Sequence, residues 1–442
     1  MKRLTLSCLI ISVLYFNVFA QSVTEISIDE AIRLAMEKNI PYSISRQEVN
    51  LAKFKVMQNS AFLPEISLQG TRYLDEKLMT FEMPAMFPGM EPIKGELDFT
   101  KNYEFTFQVT QPVFTGGKIW FNFRNAKLDL SIAREKERNS REDTILNVKR
   151  IFYTLQILTE LKQVQKEALD LAEANHANIK QRYELGMASQ YDLLRSEMAV
   201  SAVKPELTRA ENFCLTTAST LKMMIGISEK AEIVPKGELT DRALDIDQLD
   251  LIEDALKKRS EVLQLDMELA KMGNLLKMSW AQFIPDIMLV ARYSYRSDLF
   301  QLGSHKWEDY YTIALGINFT IFSGLKREGQ IGQAKVAKRI LELSRKQLSD
   351  ATVLDVQSHI RTIRQEYENI LLGKKNLETA KEGVRIADIS YKEGLISLLE
   401  LNASNSELTR AQVGYLQALF QYNIAIAELE KITREQLHGG VQ

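Results

Sequence analysis

The chain is written twice, and that duplication limits its possible folds more than any other feature. Residues 182–194 and 390–402 carry one phrase: Tyr183, Gly186, Ser189, Asp192 and Leu193 return 208 positions later as Tyr391, Gly394, Ser397, Glu400 and Leu401. A glycine just past a helix stops it in the left-handed region, and a serine three residues on caps the next helix, which makes an αα-hairpin. A second doubled phrase lies upstream: Phe62-Leu63-Pro64-Glu65-Ile66 and Phe283-Ile284-Pro285-Asp286-Ile287, 221 positions apart. Proline ends a helix and pushes its predecessor to extended geometry, so each phrase reads as a helix-to-strand junction. One repeat seldom buries its apolar face alone, so the two are read together.

The repeats run over 21–225 and 248–433, joined by a linker at 226–247 that holds Pro235 and Gly237. Each predicts the same order. A helix (27–62 and 248–283) leads to a strand hairpin (66–113 and 287–322), then a long helix (118–184 and 326–393). A turn (185–189 and 394–397) and a return helix (190–225 and 398–432) complete the unit. No proline interrupts the long helices, and some 67 residues at 1.5 Å each make a rod of roughly 100 Å. In the second rod Ile363, Ile370, Leu377, Val384 and Tyr391 stand seven apart, the spacing of supercoiled neighbours. In the first, Leu155, Leu169 and Tyr183 keep that register while Lys162 and His176 break it. Pro205 should kink the first return helix. Residues 434–442 read as a disordered tail.

The N-terminus predicts export. Lys2 and Arg3 precede an apolar run from Leu4 to Phe19, and Val18-Phe19-Ala20 offers small residues to a signal peptidase, so 1–20 reads as a signal peptide. Cys8 sits too near the basic residues for a lipid-attachment motif. Past residue 20 only Cys214 remains, so no intramolecular disulfide is possible and packing must hold the fold. Losing Lys2 and Arg3 moves the formal net charge from −2 to −4, and no basic block occurs, which argues against nucleic acid as a partner. No later stretch has 18 uncharged apolar residues, so a membrane could be crossed only as β-strands.

Four segments change period from 3.6 to 2. Tyr103, Phe105, Phe107 and Val109 alternate with polar residues, and Ile313, Leu315, Ile317 and Phe319 do the same with Thr312, Ala314, Gly316 and Asn318. Residues 287–296 and, more weakly, 66–74 follow suit. Each is about ten residues long, the length of a tilted barrel strand, with an apolar face for lipid and a polar face for water. A half-buried soluble sheet gives the same alternation. The export signal tilts the reading toward the membrane. The Met-rich loop between the first two strands (Met79, Met83, Met86 and Met90 among its residues) reads as packing by flexible thioethers rather than a soft-metal site.

No enzyme constellation is present. His176, His305, His359 and His438 are scattered, with no metal-binding spacing. Gly116-Gly117-Lys118 lacks the earlier glycine of a phosphate loop. No cofactor is implied.

The doubled Pro junctions, Gln111-Pro112-Val113-Phe114-Thr115-Gly116-Gly117 and the doubled Tyr-x-x-Gly-x-x-Ser-x-x-(Asp/Glu)-Leu turns together resemble the TolC-like outer membrane efflux family. That resemblance implies a mainly α fold with a transmembrane β part. Internally duplicated long-helix hairpins would form a periplasmic α-barrel, and four strands per protomer would join a trimeric twelve-stranded outer-membrane β-barrel. It implies a homotrimer set in outer-membrane lipid, working with a periplasmic adaptor (membrane fusion) protein and an inner-membrane efflux pump or ABC exporter. Tyr183, Gly186, Ser189, Asp192, Gly394 and Ser397 then fall at the periplasmic tip where the adaptor docks. Tyr391 and Glu400 fall at the aperture. Relatives carry a second carboxylate where Ala403 stands and an arginine where Ile396 stands, so the aperture ring and latch are only partly matched. Residue patterning independently requires several copies, because four strands would leave two open edges in lipid. The competing reading is a periplasmic coiled-coil scaffold or adhesin stalk with a soluble β-cap.

Overall fold

A computed structural model describes residues 23–60, 62–74, 79–83, 93–97, 103–297, 300 and 307–437. The signal peptide with Cys8, most of the Met-rich loop, His305 and His438 lie outside the described residues. In chain order the elements are β1 (Val23–Ser27), α1 (Ile28–Lys38), α2 (Ile40–Gln58), β2 (Glu65–Arg72), β3 (Met79–Met83), β4 (Ile93–Leu97) and β5 (Tyr103–Phe114). Then come α3 (Lys118–Glu184), α4 (Gln190–Ile225), β6 (Glu232–Lys236), α5 (Gln248–Lys258), α6 (Ser260–Trp280) and a 3-10 turn (Ala281–Phe283). The chain closes with β7 (Asp286–Ser297), β8 (Glu308–Asn318), α7 (Lys326–Lys392) and α8 (Leu398–Thr433). Among the described residues no helix is long and apolar enough to cross a membrane.

The chain forms two compact units. The first comprises residues 1–44, 138–259 and 351–442. One cluster in it joins Leu251 and Ala255 to Val356, Ile360, Ile363, Ile370, Tyr422, Ile426 and Leu429. The seven-residue seam in α7 thus reaches a real core at Ile363 and Ile370, with Ile360 on the adjoining row. The Tyr422 hydroxyl donates to the Arg242 carbonyl at 2.5 Å, and burial pushes its pKa up to about 12. A second cluster gathers Ile26, Ala31, Ala35, Val148, Phe152, Leu155, Leu221, Ile225 and Ile233. The second unit comprises residues 45–137 and 260–350 and holds the four-stranded antiparallel sheet, in the order β2-β5-β7-β8.

Several details differ from the sequence reading. The opening helices 27–62 and 248–283 are each broken near their eleventh residue. In the first, Asn39 turns extended and its Oδ1 accepts from the Tyr42 N–H at 3.2 Å, capping α2 just where Pro41 has no N–H to offer. In the second, Arg259 leaves the helix, and its guanidinium donates to the Thr352 hydroxyl and the Asp355 carboxylate. The linker 226–247 is not all loop: β6 pairs in parallel with β1, Ile26 opposite Pro235, and Ile26 and Ile233 are buried. Within 66–113 a separate ribbon, β3 with β4, stands between β2 and β5. In the second hairpin, placed at 287–322, the last strand ends at Asn318. Of the tail 434–442, Leu437 packs on the first cluster and its N–H donates to Glu430. His176, which breaks the apolar seam, is half-buried with its Nδ1 2.8 Å from the hydroxyl of buried Ser196.

Candidate functional site: helical tips and an amphipathic sheet

Both tips are built from the same bonds. At the end of α3 the Gly186 N–H donates to the Tyr183 carbonyl at 2.9 Å and the Met187 N–H to the Arg182 carbonyl at 2.8 Å. At the end of α7, Gly394 donates to Tyr391 at 3.0 Å and Leu395 to Ser390 at 2.8 Å. These are Schellman closures, and the glycines hold them at φ +72° and +76°. Each tip then opens its return helix through a capping box. Ser189 Oγ accepts from the Asp192 N–H at 3.1 Å while Asp192 Oδ2 accepts from the Ser189 N–H at 3.3 Å. Ser397 Oγ accepts from the Glu400 N–H at 3.4 Å, and Glu400 Oε2 accepts from the Ser397 N–H at 2.7 Å.

The tips therefore hold a fixed shape without a large core beneath them. Leu398 and Leu401 turn inward, whereas Leu185, Met187, Tyr191, Leu395 and Leu399 are exposed. Tyr183 is exposed, Tyr391 is half-buried, and beyond their immediate chain neighbours no described atom would lie within 4 Å of a Cβ added to Gly186 or Gly394. The Ser397 backbone N–H, and after it the Ser397 hydroxyl, hold the Glu400 carboxyl below the usual carboxylate range. A depressed carboxyl stabilises above its unfolded pKa and loses that contribution as pH falls through the folded one. The first turn of α8 should thus lose hydrogen-exchange protection as pH drops below the ordinary glutamate range, about 4.3. Ser397→Ala should remove about 1 kcal/mol of the same protection at neutral pH. Unchanged protection factors in α8 would show that the cap contributes nothing.

The sheet sorts its side chains by chemistry. Residues directly opposite in an antiparallel ladder share a face. Phe107 lies opposite Leu68 on one side and Tyr293 on the other; Val109 lies opposite Ile66 and Ala291. Tyr293 is opposite Tyr311, Ala291 opposite Ile313, Leu289 opposite Leu315 and Ile287 opposite Ile317. Tyr103 and Phe105 continue this face, and both stack on Phe300. Phe319 falls one residue past the end of β8, exposed. Gly70 faces Phe105, whose ring approaches its missing Cβ to 3.0 Å.

The opposite face is polar and internally bonded, which alternation predicts in kind but not in pairing. Glu104 joins Arg296 at 3.3 Å and accepts from the Tyr73 hydroxyl at 2.9 Å. Arg292 donates to Gln108 Oε1 at 3.0 Å, and Thr106 and Ser294 share a hydrogen bond of 2.8 Å. One face suits hydrocarbon and the other suits water, on strands of 8 to 12 residues. Among the described residues β2 and β8 are paired on one side only and form the two edges of this sheet. In each repeat the sheet strands lead into an unbroken 67-residue helix, the combination of a β part suited to a membrane and long helices.

The family follows from comparison. The family model described as "Outer membrane efflux protein" matches residues 43–227 and 251–433. The chain belongs to the outer membrane efflux protein family. It is accordingly an outer-membrane protein of the Gram-negative type, with a periplasmic helical part. It is 23% identical over 324 residues to the "Antibiotic efflux pump outer membrane protein ArpC" of Pseudomonas putida, and equally to the "Toluene efflux pump outer membrane protein TtgC" of the same species. The match covers 71% of this chain and 64% of either relative, so it spans less than two thirds of their length. Two solved structures share the fold. CusC aligns at TM-score 0.76 and 12% identity, covering 92% of this chain and 91% of that one. VceC of Vibrio cholerae aligns at 0.75 and 15%, covering 92% and 95%.

Proposed function

We propose that this chain is the exit duct of a tripartite efflux or type I secretion system. Three copies close one twelve-stranded barrel through the outer membrane, and their helices continue it as a periplasmic tunnel. The capped tips at Gly186 and Gly394 dock a periplasmic adaptor and, through it, an inner-membrane pump, with Tyr391 and Glu400 beside the aperture. The observation that carries this reading is the sheet, apolar and aromatic on one face, hydrogen-bonded and charged on the other, and bounded among the described residues by the edge strands β2 and β8. A stalk with a soluble β-cap would have to bury Phe107, Ile313, Leu315 and Ile317 in a core of its own. They are 45%, 69%, 62% and 67% exposed. Glu400 supports an aperture role less directly, since its carboxylate already serves the cap.

The tip supplies the test. Gly394→Leu places a side chain in open space at a left-handed position, which strains the turn by about 1–2 kcal/mol while leaving the rest of the fold untouched. Export by a reconstituted pump–adaptor system should fall while the yield of oligomer in the outer membrane stays normal. Loss of the oligomer, with export per remaining oligomer unchanged, would place Gly394 in the fold and contradict the docking role.

A further inference from the structure

Charge on the polar face of the sheet collects at the two ends of the strands. Glu65 and Asp286 stand where the strands meet the helices, and Asp286 is paired with Lys118 at 2.8 Å. At the other end Arg296 lies between Glu104 and Glu308 in the ladder and pairs with Glu104 at 3.3 Å. Among the described residues a single charged side chain occupies the stretch between, Arg292 of β7. Gln108 lies opposite it on one side and Thr312 on the other, with Val290 and Ser294 two residues away along its own strand. Four residues of strand, about 13 Å, separate it from Arg296, and six, about 20 Å, from Asp286. Both spans exceed the screening length of about 8 Å at physiological ionic strength.

The Arg292 guanidinium is held in place without being neutralised. Its Nε and Nη2 donate to Gln108 Oε1 at 3.2 and 3.0 Å, and Gln108 Nε2 in turn donates to the Thr110 hydroxyl at 3.0 Å, which orients the amide for this contact. A carboxamide offers an oxygen but no charge. Among the described residues no carboxylate pairs with Arg292 and no bond engages its Nη1. The side chain is exposed, so those N–H groups face solvent and are available to a carboxylate or phosphate, the acceptors that match the fork of a guanidinium. The duplication does not call for a charge here: 221 positions earlier, at the equivalent place in β2, stands Thr71.

We propose that Arg292 gives the membrane-embedded part of the duct a preference for anions: small inorganic anions, and solutes that carry a carboxylate, sulfonate or phosphate. The proposal rests on the multimeric channel reading, in which each copy contributes one Arg292 to the water-filled bore at the same depth. Fixed charge in the wall of a pore raises the local concentration of the opposite ion, so a ring of arginines favours anions. In water a unit charge about 10 Å away raises a monovalent anion about twofold and lowers a monovalent cation as much, so one charge moves their ratio about fourfold. Several copies around one bore act together at low ionic strength, and salt screens them. Arg292 is the group that meets the solute. Gln108 is a positioning residue that fixes where the charge sits.

A thiol opposite Arg292 reads the local potential directly. In a Cys214→Ser background, Thr312→Cys places that thiol on the polar face across from Arg292. Outer membranes carrying it are labelled at low ionic strength with an anionic sulfonatoethyl or a cationic trimethylammonioethyl methanethiosulfonate. The ratio of the two rates cancels the ionisation of the thiol, because the same thiolate attacks both reagents. Arg292→Gln should lower the anion-to-cation rate ratio about fourfold or more. Arg292→Lys keeps the charge and loses the fork, and should keep most of the ratio. Salt of about 1 M, where the screening length is about 3 Å, should bring the native ratio down to that of Arg292→Gln. A ratio unchanged by Arg292→Gln in an oligomer of native mass overturns the anion preference and leaves the channel reading intact. An equally large fall in Arg292→Lys assigns the effect to the lost Gln108 contact and overturns it as well. A monomeric native species whose Thr312→Cys thiol reacts with neither reagent overturns the channel reading itself, and this proposal with it.

Discussion

Phe107→Lys should abolish assembly of the protein in the outer membrane. Phe107 sits at the middle of β5, between Leu68 and Tyr293 on the apolar face. A lysine at the midplane on a barrel's lipid face costs about 2–4 kcal/mol. A closed ring bears that cost once per copy. The partner substitution Thr71→Lys lies on the other face, opposite Glu104, where water and a carboxylate receive the charge. Outer-membrane fractions, scored for a heat-dissociable oligomer, should lack it in the first variant and keep it in the second. Equal yields would show that the apolar face does not meet lipid.

Phe152→Ala should destabilise the first unit by about 3–5 kcal/mol. The ring is 1% exposed and packs in the cluster that ties β1 and β6 to α1, α3 and α4. Truncation removes a large buried area and leaves a cavity that rigid helix walls fill poorly. Phe54→Ala, on an exposed face of α2, should change the unfolding of the isolated chain by well under 1 kcal/mol. Urea midpoints followed by circular dichroism distinguish the two. A loss at Phe152 no greater than at Phe54 would mean that this cluster is not what holds the unit together.

Most of the architecture was legible because it is periodic and doubled. Gly186 and Gly394 stand where only a left-handed closure makes sense, and Ser189 and Ser397 follow at capping distance; local bonds made those turns. The four strands of the main sheet were legible from alternation alone. What escaped was decided by distant partners. β1 and β6 are five residues each, too short for their alternation to stand out, and form because Ile26 and Ile233 meet across some two hundred residues. The break at Arg259 has no proline to announce it and depends on Thr352 and Asp355. His176 looked like a flaw in a seam until Ser196, on the returning helix, supplied its hydrogen bond. The polar face of the sheet was foreseeable in composition, but the pairing of Glu104 with Arg296 required the register of β5 on β7.

The most direct test of the central claim is planar-bilayer conductance of the native species extracted from outer membranes, its mass determined in the same preparation. The channel reading predicts a heat-dissociable trimer that conducts ions in discrete steps. A trimer or monomer that never conducts, including after opening substitutions at the tips, would contradict it.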